Sequence, residues 1–122
     1  MAKKILIADD EKFINRAYSD TLQRAGYEVI VALNGEEALE KITKEKPDLI
    51  LLDLIMPKMN GFEVLKKVKS HLKLKDIPVL VLSNLSQETD EAELKRLGAV
   101  DFLVKSDISL EELLTRIKQF FE

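Results

Sequence analysis

Five short apolar runs punctuate the chain: KILIA (4–8), EVIVA (28–32), DLILLD (48–53), PVLVLS (78–83) and VDFLVK (100–105). Most are rich in Val, Ile and Leu and nearly continuous rather than alternating, the pattern of strands covered on both faces. Between them apolar residues recur at helical spacing. Ile14, Ala17, Tyr18, Leu22 and Ala25 define a first helical face, and Ala38, Leu39 and Ile42 a second. Phe62, Leu65, Val68 and Leu72 mark a third; Ala92, Leu94 and Leu97 mark a weakly apolar fourth. Leu110, Leu113, Leu114, Ile117 and Phe121 mark the last. The punctuation agrees. Gly26 and Gly98 follow helical segments where a left-handed cap is wanted. Asn60 with Glu63, and Ser109 with Glu112, have the spacing of N-terminal capping boxes. Pro47 and Pro78 stand at or just before strand starts, where a missing amide hydrogen does least harm.

A strand-helix alternation repeated in this way predicts an α/β fold: a five-stranded parallel sheet with five helices spread over both faces. Right-handed crossovers narrow the topology to the flavodoxin-like strand order 2-1-3-4-5. The C-terminal ends of all strands then lie along one edge, and ligands bind where the strand order reverses.

The length of 122 residues suits one domain spanning 1–122, with no repeat or linker inside it. Net charge is −3, against the basic surface that direct nucleic-acid binding asks for. The absence of cysteine excludes disulfides, zinc-thiolate sites and thiol chemistry. No apolar run approaches the ~20 residues that cross a bilayer, and MAKKILIADDEK lacks the form of a signal peptide. The expectation is a soluble, cytoplasmic protein without membrane contact.

The strand ends carry the chemistry. The first run ends in Asp9 and Asp10, the third in Asp53, the fourth in Ser83 and the fifth in Lys105. First and third strands are neighbours in the expected order, so three carboxylates should converge. Uncompensated, they would repel and raise one another's pKa. A hard divalent cation resolves this, and sparse carboxylate ligation with retained waters suits Mg²⁺. One carboxylate can then act as nucleophile in phosphoryl transfer, which needs in-line placement and neutralised equatorial oxygens more than covalent help. Asp53 is the natural nucleophile, with Lys105 supplying positive charge and Ser83 a hydroxyl for a phosphoryl oxygen.

The acidic pair in ILIADDE, the segment DLIMPKMNG, and the strand-ending Ser83 and Lys105 together resemble the receiver domains of two-component response regulators. The resemblance covers essentially the whole chain. It implies that Asp53 is the phosphoacceptor, that Asp10 binds Mg²⁺ directly and Asp9 mostly through water, and that the backbone carbonyl of Ile55 completes the protein ligands. It also implies that Ser83 and Phe102 form a switch pair and that Lys105 pairs with the acceptor or its phosphate. A histidine kinase or histidine phosphotransfer protein would be the donor. The face formed by the fourth helix, fifth strand and fifth helix would meet a downstream protein.

Three positions depart from the family pattern. Ser106 stands where most relatives have proline after a cis peptide; a cis bond before a non-proline residue costs about 2.5–4 kcal/mol, so a trans Lys105–Ser106 bond is expected. Asn84 and the apolar Ile55 flank the phosphoryl site and bear on access and phosphate lifetime. Met56, Pro57 and Met59 are read as shaping their loop, Phe13, Tyr18 and Phe62 as core, and His71 as lying on a solvated helix end. Two other function classes compete. An aspartyl-nucleophile phosphatase usually carries a second acid two residues on, where this chain has Ile55. An inert interaction module has no use for the acids, serine and lysine. The start at Met1-Ala-Lys-Lys and the end after the last helical segment favour a stand-alone regulator.

Overall fold

The structure, a computed structural model, describes residues 2–84 and 91–122. Strands β1 (Lys4–Ala8), β2 (Glu28–Ala32), β3 (Leu49–Leu52), β4 (Val79–Ser83) and β5 (Asp101–Val104) alternate with helices α1 (Lys12–Arg24), α2 (Gly35–Glu45), α3 (Gly61–Ser70), α4 (Glu91–Arg96) and α5 (Leu110–Phe121). The sheet is parallel throughout, in the order β2-β1-β3-β4-β5. This is the predicted topology, and the strand limits fall within a residue of the apolar runs.

The pleat divides the core in two. Leu6, Ala8, Ile50, Leu52, Val79 and Val81 point to the face covered by α2, α3 and α4, where Ile42, Leu65, Val68 and Leu94 are buried. Ile5, Ile7, Leu49, Leu51, Leu80 and Leu82 point to the other face, against Tyr18 and Leu22 of α1 and Leu113 and Ile117 of α5. Both sides of β1, β3 and β4 are therefore dry, which is why their sequences run apolar without alternation.

The caps match expectation. Asn60 Oδ1 accepts from the Glu63 amide at the start of α3, and Ser109 and Glu112 form a reciprocal box at α5. Asn34, not singled out from the sequence, caps α2 through the Glu37 amide. Gly26 and Gly98 take φ of +97° and +110°, the left-handed conformations that only glycine adopts without cost.

One core assignment, Phe13, and three helix-face assignments, Leu72, Ala92 and Leu110, are corrected, since all four residues are exposed. Phe13 is 83% exposed and Leu72 is 82% exposed. The inward positions of α1 are Asn15, Tyr18 and Leu22. Phe13 lies two residues before Asn15, about 200° round the helix, and so faces away from the sheet. The third helix ends at Ser70, before Leu72; the chain then turns and buries Leu74 instead.

The loop after β3 is built tightly. Met59 N–H donates to the Pro57 carbonyl across Lys58, whose φ is +69°. Met56 is buried and Met59 packs on the core, as read from the sequence. The loop closes where the Gly61 amide donates to the Leu54 carbonyl at 3.0 Å. A Cβ on Gly61 would lie 2.2 Å from the Asp53 carbonyl oxygen. Because the obstacle is backbone, Gly61→Ala is expected to cost about 3 kcal/mol, the upper part of the usual overpacking range. Urea unfolding checks this; a loss below about 0.5 kcal/mol would mean that the two segments part freely.

Candidate phosphoacceptor site

The backbone ladders run one residue past the ends of β1 and β3. Asp9 N–H donates to the Ala32 carbonyl at 3.1 Å, and Asp53 N–H to the Ala8 carbonyl at 3.0 Å. Both residues are thus fixed at adjacent strand ends before any side chain is considered. One carboxylate oxygen from each of Asp9, Asp10 and Asp53 lies within 4.8 Å of the others. Asp9 and Asp53 are buried, whereas Asp10 faces solvent.

Lys105, the first residue of a short 3-10 turn (Lys105–Asp107) after β5, reaches across to this cluster. Its ammonium lies 2.5 Å from Asp9 Oδ2, 3.2 Å from Asp53 Oδ2 and 3.8 Å from Glu11 Oε1. Burial alone would lower the lysine's pKa. The hydrogen bond to Asp9 and the charges of Asp9 and Asp53 outweigh it and raise it above the ordinary value. For Asp9, burial is the largest influence and lifts the carboxyl above its usual range; the hydrogen bonds from Lys105 and the Glu11 amide oppose it. Both Asp9 oxygens are engaged, Oδ1 by Glu11 N–H at 2.9 Å and Oδ2 by Lys105.

Lys105 and Asp53 line a pocket of about 230 Å³ together with Asp10, Glu11, Ile55, Ser83 and Asn84. Ser83 is buried at the end of β4. Ile55 is 60% exposed at the pocket's mouth, and its N–H points to Asp53 Oδ1 at 3.4 Å. Phe102 is half-buried in β5, opposite Val81 of β4, and packs against the core on the α2–α4 face rather than lining the pocket. The Lys105–Ser106 peptide is trans, as expected. Its Ser106 N–H, which a proline would lack, is taken by Asn84 Oδ1 at 2.9 Å.

The sequence therefore anticipates the convergence of Asp9, Asp10, Asp53, Ser83 and Lys105. It did not single out Glu11, Asn15 or Gly61. The Asn-Gly pair opening α3 was a usable signal for Gly61; Glu11 and Asn15 carry none outside their places in the fold. Clustered hard oxygen donors, with Asp10 making no ion pair among the described residues, fit a hexacoordinate divalent cation that keeps several waters.

Linkage makes the Lys105 pairing measurable. In metal-free buffer its contribution is complete below the ordinary lysine pKa of 10.5 and is lost as pH rises through the higher folded value. The buried Tyr18 phenol, raised above 10.0 chiefly by burial, acts in the same sense. In a Tyr18→Phe background, unfolding free energy should still fall with pH above about 10, and adding Lys105→Met should flatten that fall. An alkaline slope unchanged by Lys105→Met would contradict the pairing.

Comparison with known proteins fits this geometry. Residues 5–118 match the family described as the response regulator receiver domain. The chain is 42% identical over 118 residues to the alkaline phosphatase synthesis transcriptional regulatory protein PhoP of Bacillus subtilis, covering 97% of this chain and 48% of that protein. Its fold is similar to that of the chemotaxis response regulator CheY4 of Vibrio cholerae, with TM-score 0.89, 39% identity and 98% of each chain covered. A response regulator solved in a Mn²⁺-bound form aligns with TM-score 0.85 and 32% identity over 98% of this chain and 94% of that one. The chain spans about half the length of the curated relatives it matches. By its strand order, its acidic cluster and the family it matches, the chain belongs to the receiver domains of response regulators, the family whose role is phosphorelay signalling in two-component systems.

Proposed function

We propose that Asp53 is the phosphoacceptor of this receiver and that residues 1–122 form one receiver domain. The observation that carries the reading is the Lys105 ammonium, 3.2 Å from Asp53 Oδ2, in a pocket shared with Asp10 and Ser83. A carboxylate oxygen of Asp53 attacks the phosphorus of a phosphohistidine on a histidine kinase or phosphotransfer protein. The P–N bond breaks as the P–O bond forms, and the imidazole leaves with a proton from solvent. Lys105 is placed to stay on the phosphoryl group and balance the charge that accumulates on its oxygens. Ser83 donates its hydroxyl to one of them. Mg²⁺, held by Asp10, by Asp53, by the Ile55 carbonyl and by Asp9 through water, would supply the remaining neutralisation.

The product adds about −1.5 to −2 charges where the ammonium formerly balanced carboxylates. Ser83 and Phe102 respond together, Ser83 toward the phosphoryl group and Phe102 into the space this frees. The face of α4, β5 and α5 then favours a second arrangement that a downstream protein reads. The receiver thus acts as a switch that promotes its own phosphorylation and dephosphorylation, in the cytoplasm where such donors reside. Direct contact with nucleic acid or membrane is not assigned to it.

Incubation with acetyl phosphate and Mg²⁺ tests this. About one base-labile phosphoryl group per chain is expected, absent in Asp53→Asn, and not formed when the metal is chelated beforehand. Labelling that persists in Asp53→Asn would refute the assignment; release of phosphate with no phosphoprotein accumulating at any time would favour a phosphatase.

A further inference from the structure

Helix α1 starts without the device that opens α2, α3 and α5. Its N-cap is Glu11, which makes no capping hydrogen bond. The entry is tied instead by Asn15, one turn inside the helix, whose Nδ2 donates to the Asp9 carbonyl at 2.7 Å in a buried contact. Asn15 is only 4% exposed and takes a position facing the sheet beside Tyr18 and Leu22. Its Oδ1 is buried and has no protein partner among the described residues.

That orphan is informative. Burying an amide that protein groups satisfy on one side only is less favourable than burying an apolar side chain. Leucine would fill nearly the same volume without that penalty, so packing does not account for an amide here. What the amide does that leucine cannot is satisfy the Asp9 carbonyl. Asp9 is then held from four directions: its N–H on Ala32, its carbonyl by Asn15, Oδ1 by the Glu11 amide and Oδ2 by Lys105. Among the described residues the carbonyl is the one tether at the Asp9–Asp10 peptide itself, so it sets the direction in which Asp10 leaves the strand.

We infer that Asn15 is the positioning residue of the acid pair, fixing the Asp9–Asp10 peptide so that both carboxylates face the cation site. The inference rests on the proposed Mg²⁺ site. Asn15 touches neither cation nor phosphoryl group; it acts through the Asp9 backbone, as partners behind metal ligands do when they orient them.

Two substitutions separate positioning from packing. Asn15→Leu keeps the volume and loses the donor; Asn15→Ala loses both. Val68→Ala, a cavity in α3 on the opposite face of the sheet, controls for stability. Calorimetry on the full chain should give Mg²⁺ affinity about 10-fold weaker in both Asn15 variants and unchanged in Val68→Ala. In metal-free protein, exchange of the Glu11 amide hydrogen should accelerate in the Asn15 variants alone. Unchanged Mg²⁺ affinity in Asn15→Leu would overturn the inference, as would a loss confined to Asn15→Ala. If the unsubstituted chain bound no Mg²⁺, the reading of the site would fail, and Glu11 exchange alone would decide for or against Asn15.

Discussion

One ammonium group ties the functional edge of this molecule together. Lys105 directly follows β5, the strand beyond β4, yet its nitrogen rests between carboxylates at the ends of β1 and β3. Taking a charge out of water is costly unless partners of opposite sign replace the solvent. Here the partners also need the lysine, since burial raises the Asp9 pKa and Asp53 adds repulsion. Neither the acids nor the amine would be stable alone in this place. One ammonium against three carboxylates still leaves the cluster anionic, which is the condition that attracts a divalent cation.

This arrangement depends on the backbone around it. The parallel ladders extend through Asp9 and Asp53, so the separation of those residues is set by the spacing of neighbouring strands. The loop after β3 returns so closely that Gly61 abuts the Asp53 carbonyl, leaving Asp53 little room to move. On the other side, Asn84 grips Ser106 and holds the turn that carries Lys105 against the end of β4. The pair occupies the place where family members with proline have no amide hydrogen to share. Ser83 and Lys105 are therefore linked through adjoining residues as well as through the pocket.

Much of this was legible from the chain alone. Strands buried on both faces write themselves as apolar runs, and their polar last residues name the site once the strand order is known. What stayed hidden was whatever a polar residue does indoors. Apolar spacing on α1 marks Tyr18 and Leu22 but cannot place Asn15 inside, and Phe13, read as core, faces away from the sheet. Leu72 was misread for a related reason: apolar spacing continued past Ser70, while the backbone turned at His71. Glu11 is invisible in the same way, because its approach to Lys105 joins segments that are distant in sequence. Asn84 and Ser106 could be recognised as departures from the family pattern, but not as partners of each other.

The central claim, that the pocket bounded by Asp10, Ser83 and Lys105 delivers a phosphoryl group to Asp53, is tested most directly by a crystal structure grown with Mg²⁺ and beryllofluoride. The account predicts a tetrahedral BeF₃⁻ on an Asp53 carboxylate oxygen, contacted by Lys105 and Ser83, with Mg²⁺ beside it on Asp10. Beryllofluoride bound to another carboxylate, or an Asp53 left unmodified at saturating concentrations of both ions, would contradict it.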